Sequence, residues 1–82
     1  KQIFIISENA EAISKSIMED MNRGVTGIKA VGMYSKADKT MLYCAVSPKE
    51  IADVKDLVKS IDKEAFVIVS DAREVLGEGF EE

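Results

Sequence analysis

The stretch that decides the fold is MLYCAVSPKEIADVKDLVKSI, Met41 to Ile61. Its first six residues, Met41 to Val46, are apolar and read as a buried strand. Ser47, Pro48 and Glu50 then mark a helix start: a capping serine, proline at the first helical position and glutamate at the third. The serine hydroxyl can accept from the Glu50 amide while the carboxylate reaches back to the Ser47 amide. Ile51, Val54, Val58 and Ile61 follow at helical spacing, with Leu57 beside them. A strand running straight into a capped helix is one βα unit, and the flanking sequence shows what it belongs to.

Upstream, VTGIKAVGMYS (Val25–Ser35) has β character, with glycines at 27 and 32 that suggest a bulge or close backbone approach. The polar SKADKT makes a turn, so this segment and Met41–Val46 form a hairpin with a loop of about four to six residues. Before it, Ala10, Ile13, Ile17 and Met21 recur at helical spacing, with Asn9 or Ser7 placed to cap the start and Gly24 to end the helix in a left-handed turn. IFIIS (Ile3–Ser7) opens the chain as a strand, and AFVIVS (Ala65–Ser70) is the last strand. The order βαββαβ, with right-handed crossovers, puts both helices on one face of a four-stranded, mainly antiparallel sheet. The expected class is α+β, ferredoxin-like, with the first and third strands central.

Two helices cover only one face of such a sheet, and the other should alternate toward polar residues. It does not. Ile3 and Ile5 oppose Phe4 and Ile6; Leu42, Cys44 and Val46 oppose Met41, Tyr43 and Ala45; Phe66 and Ile68 oppose Ala65, Val67 and Val69. Three strands are apolar on both sides, which implies a second buried face. A homo-oligomer, dimer or trimer, is the expected cover. The alternative is the tail after Ser70 folding back with Val75, Leu76 and Phe80.

The chain has 82 residues, one cysteine and no histidine, and carries a net charge of −4. It is sized for one domain, residues 1–82, and reads as a piece of a longer protein, because a strand begins almost at once after Lys1. Without histidine there is no Ser-His or Cys-His triad and no Cys/His zinc site. The acidic balance argues against nucleic acid as a partner. Cys44, mid-strand among apolar neighbours, reads as a small buried hydrophobe rather than a redox thiol. The carboxylates at Glu19, Asp20, Asp53 and Asp56 fall on outer helix faces and read as solvated. No catalytic residue, metal site or cofactor is expected.

Basic residues placed on loops (Arg23, Lys36, Lys39 and Arg73) could clamp an anion between assembled subunits, with Tyr34 adding a stacking surface or hydroxyl. The plainer reading is solvated charge with a half-buried tyrosine. Gly77-Glu78-Gly79 is only part of a glycine-rich loop: no helix follows it, and a carboxylate stands between the glycines.

These stretches together resemble a known family. AFVIVSDAREVLGEGF (Ala65–Phe80) looks like the end of the small C-terminal domain of YitT-type bacterial membrane proteins, VSPKE (Val46–Glu50) resembles its strand-to-helix junction, and RGVTGIKAVGMYS (Arg23–Ser35) resembles its R-G-V-T…G-x-G-x-Y-[ST] stretch. Ala30 departs from that pattern, standing where the first glycine belongs. The resemblance implies a soluble domain on the cytoplasmic side of the bacterial membrane, in a protein whose membrane-embedded part is its covalent partner. It also implies similarity to PII-like signalling proteins, ferredoxin-like trimers that bind small effectors between subunits. The expected function is a regulatory or oligomerisation domain responding to a small anionic effector, with Tyr34, Ser35, Lys39, Arg73, Gly77 and Gly79 as its ligand contacts. The alternative is a small acylphosphatase-like enzyme of the same topology. Against it, SENAEA (Ser7–Ala12) occupies the place of that enzyme's arginine-bearing phosphate loop.

Overall fold

The structure, a computed structural model, describes residues 1–72. Its elements run β1 (Gln2–Ile6), α1 (Ala10–Asp20), β2 (Thr26–Val31), β3 (Asp38–Ala45), a single 3-10 turn (Pro48–Glu50), α2 (Ile51–Ile61) and β4 (Phe66–Ser70). The four strands form one sheet in the order β2-β3-β1-β4, and every neighbouring pair is antiparallel. This is the expected βαββαβ arrangement, with β1 and β3 at its centre.

The alternation of β1 and β3 sorts the side chains between the two faces. Ile3, Ile5, Leu42 and Cys44 point toward the helices and are buried, and Ala10, Ile13 and Ile17 of α1 meet them with Val54 and Val58 of α2. Val46, just beyond β3, and Ala65, just before β4, complete this core. Burying each large aliphatic residue here stabilises the fold by roughly 1.5–3 kcal/mol, which is why so small a chain can hold together.

Four local expectations are refined. The hairpin strands are Thr26–Val31 and Asp38–Ala45, so β2 is shorter and β3 longer than the apolar runs suggest. The capping box at Ser47 and Glu50 is present, but it introduces a 3-10 turn, and α2 proper begins only at Ile51. At the end of α1 the left-handed residue is Asn22, with φ 56°, rather than Gly24. Asparagine tolerates this conformation because its short amide can hydrogen-bond locally. Asn9 precedes α1 without a side-chain cap; Ser7 takes part instead, its hydroxyl accepting from the Asn9 amide at 2.9 Å and donating to Asp62 Oδ2 at 2.6 Å.

Among the described residues no helix is long and apolar enough to cross a membrane.

Candidate functional site: the open sheet face and the β2–β3 hairpin

The strand register that builds the core also builds the face away from the helices. Ile28 pairs with Met41, Met41 with Ile6, and Ile6 with Phe66, which makes an apolar row across all four strands. Beside it runs a second row, Thr26, Tyr43, Phe4 and Ile68. Phe4 and Tyr43 pack with ring centroids 5.0 Å apart and planes tilted by 50°. A third row, Ala45, Gln2 and Ser70, turns the face polar at one end, where the Tyr43 hydroxyl donates to Gln2 Oε1 at 3.2 Å. Phe66 and Ile68, on the edge strand β4, remain 62% and 42% exposed.

The hairpin joining β2 to β3 projects from this sheet with its own character. The Gly32 amide donates to the Ala37 carbonyl at 2.9 Å and the Lys36 amide to the Gly32 carbonyl at 2.7 Å. Lys36 adopts φ 61° to close the turn. Ser35 Oγ accepts from the Ala37 amide at 3.3 Å. A methyl group on Gly32 would lie 2.8 Å from Ser35 Oγ and 3.1 Å from Lys39 Cε, so the ends of these two flexible side chains pack closely over the glycine. The turn holds its apolar residues outward: Met33 is 76% exposed, Tyr34 fully so, and Val31 is exposed at the turn's base.

Of the six residues expected to contact a ligand, Tyr34, Ser35 and Lys39 therefore share one hairpin, and Ser35 and Lys39 converge on Gly32. Arg73, Gly77 and Gly79 lie outside the described residues, as do Val75, Leu76 and Phe80 of the alternative cover. Arg23 is not a loop cation awaiting an anion. Its guanidinium bonds Glu50 Oε1 at 3.1 Å through Nε and 2.9 Å through Nη2, and both side chains are mostly buried. The same Glu50 oxygen accepts from the Ser47 amide at 2.8 Å and hydroxyl at 2.9 Å. Partial burial raises the Glu50 carboxyl, but the bonds from Arg23 and Ser47 outweigh it and hold the group below its ordinary range.

Cys44 is the buried hydrophobe expected from its neighbours: burial, with the nearby Glu50 charge, pushes its thiol up to about 11. Among the described residues no cluster of acids and cysteine is arranged to hold a metal ion. The β1–α1 loop carries Ser7 and Glu8 with no arginine, and gives the acylphosphatase alternative no support.

Two features escaped sequence reasoning. An open hollow of about 730 Å³ lies between the start of α1 and the base of the hairpin, where Glu8, Glu11 and Asp38 stand against Lys29 and Lys39. Its mixed charge matches no single ligand class. The second is the outward display of Met33, and a signal for it existed: two adjacent large side chains immediately before the expected turn.

Residues 23–77 match the family model described as "Uncharacterized protein conserved in bacteria (DUF2179)". The chain is 46% identical over 80 residues to the UPF0750 membrane protein YvjA of Bacillus subtilis (strain 168), which covers 98% of this chain and 28% of that protein. It is 27% identical over 73 residues to the UPF0750 membrane protein YitT of the same organism, covering 89% of this chain and 26% of that one. The crystal structure of an uncharacterised DUF2179 protein from Eubacterium ventriosum superposes with a TM-score of 0.74 at 29% identity, covering 84% of this chain and 94% of that one. The chain thus spans about a quarter of the length of these two membrane proteins.

Proposed function

We propose, from the premise that this chain belongs to the DUF2179 family and is the small domain of a UPF0750-type membrane protein, that it is a regulatory assembly module. It associates with its own copies through the open sheet face on the cytoplasmic side of the membrane. The observation that carries this reading is the pair of rows Ile28-Met41-Ile6-Phe66 and Thr26-Tyr43-Phe4-Ile68.

One polar hydroxyl each from Thr26 and Tyr43 is all that interrupts these eight positions, and no charged residue stands among them. Contiguous exposed apolar patches on soluble proteins often mark association surfaces, and Ile28, Phe66 and Ile68 leave this face open. Burying it, at roughly 25 cal/mol per Å², works against the entropy cost of association. A small anionic effector at the seam, met by Tyr34, Ser35 and Lys39, would regulate the membrane part by binding one arrangement of the subunits better than another.

Light-scattering molar mass on the 82-residue chain tests the assembly. The wild type should exceed the monomer mass, and Phe66→Asp combined with Ile28→Asp should return it to monomer while leaving its circular dichroism unchanged. A wild-type chain that stays monomeric at high concentration overturns the reading. A thermal-shift screen with nucleotides and inorganic phosphate tests the effector separately.

A further inference from the structure

We propose that the β2–β3 hairpin tip is a membrane-contact element: Met33 and Tyr34 enter the interfacial layer of an anionic bilayer, and Lys29, Lys36 and Lys39 supply the attraction to its headgroups. This rests on the membrane-protein part of the reading above and is independent of self-association.

The hairpin has the two chemistries that such a surface recognises. Its tip is apolar and wet, with Met33 76% exposed, Val31 53% exposed and Tyr34 fully exposed. Tyrosine suits the boundary between headgroup and acyl chain because one end of its ring is apolar and the other polar. Between residues 29 and 39 stand three lysines against the single carboxylate of Asp38, in a chain whose net charge is −4. Lys36 is exposed at the turn itself, while Lys29 and Lys39 flank its base beside Glu8, Glu11 and Asp38, so the positive charge that an anionic leaflet would draw in is centred on the turn.

The tip is also preformed. The Gly32–Ala37 and Lys36–Gly32 backbone bonds close the turn, so displaying Met33 and Tyr34 needs little further ordering.

Charge decides between a bilayer and a second copy. Three lysines on one copy's hairpin repel the same lysines on another, whereas the two apolar rows of the sheet carry none. A small soluble anion would use the lysines and the Tyr34 hydroxyl and leave the exposed apolar Met33 and Val31 without a role. The bilayer accounts for both.

The test is flotation of the 82-residue chain with phosphatidylcholine vesicles, with and without phosphatidylglycerol. The chain should float only with the anionic vesicles, and less as salt rises. Lys36→Gln and Lys39→Gln should each lower partitioning about fivefold, the effect of one lysine at an anionic surface. Met33→Ser with Tyr34→Ser should abolish it, and tryptophan emission from Met33→Trp should shift to the blue on anionic vesicles. All are exposed or surface positions, and unchanged circular dichroism confirms folding.

Absence of flotation at low salt overturns the proposal, as does flotation that the hairpin variants leave unchanged. If inorganic phosphate stabilises the chain through Lys36 and Lys39 while vesicles do not bind, the site belongs to a soluble anion. If Met33→Ser with Tyr34→Ser lowers the molar mass, the tip is a contact between copies. Failure of self-association in the Phe66 variant leaves flotation intact, so the two readings fail separately.

Discussion

Glu50→Ala tests whether one carboxylate ties the two halves of this chain together. Glu50 Oε1 accepts from the Ser47 amide and hydroxyl, closing the cap of the second βα unit, and from Arg23, 27 residues earlier. Losing the cap costs about 1 kcal/mol. Losing a charge-assisted bond costs about 1.5–3 kcal/mol, toward the lower end here because the pair is not fully dry. The sum is about 2–4 kcal/mol, against a total stability of about 4–12 kcal/mol for a chain of this length.

At about 4–8 °C per kcal/mol, the melting temperature at pH 7 should fall by about 8–32 °C. The pH dependence gives a second, independent reading. The folded carboxyl lies below its ordinary value, so it binds its proton less readily folded than unfolded. Its stabilisation is complete above the unfolded value of about 4.3 and fades as pH falls through the lower folded value. The wild-type advantage over Glu50→Gln should therefore hold from pH 7 to about pH 5 and shrink below it. Thermal melts across that range are the assay. A drop of less than about 3 °C for Glu50→Ala, or an advantage flat with pH, would refute the reasoning and reduce the pair to a surface contact.

Two smaller predictions concern single residues. Cys44, buried and with its thiol pushed up to about 11, should resist iodoacetamide in the native chain at pH 8 and react readily in denaturant; fast native labelling would mean that β3 opens locally. Asn22 holds a left-handed conformation, so Asn22→Gly should leave stability within about 0.5 kcal/mol, whereas Asn22→Val should lower it by about 1–2 kcal/mol in denaturant melts. Equal effects of the two would show that the turn is not set by φ.

The residues expected to form a ligand site were legible only in part. Tyr34, Ser35 and Lys39 fall on a hairpin because polar turn chemistry is local and the sequence announces it. That Ser35 and Lys39 converge on Gly32 depends on how the turn closes, which spacing alone does not specify. The pairing of Arg23 is hidden from the sequence for a similar reason. Its position after α1 looks like a loop, but its partner Glu50 comes from the second βα unit and meets it only in the folded chain.

What the sequence determines by itself is the succession of elements and the sidedness of each. The capping serine, the 3.6-residue stripe of α2 and the two-residue alternation of β1 and β3 are local rules, and each survives in the structure. From that order and the handedness of crossovers the sheet topology follows. Only the tertiary structure decides register, because hydrogen bonding between strands far apart in sequence sets which residues stand abreast. The apolar alternation announced a second hydrophobic face but not its arrangement. Register turned it into two rows across the sheet and left the lysines of the hairpin outside them.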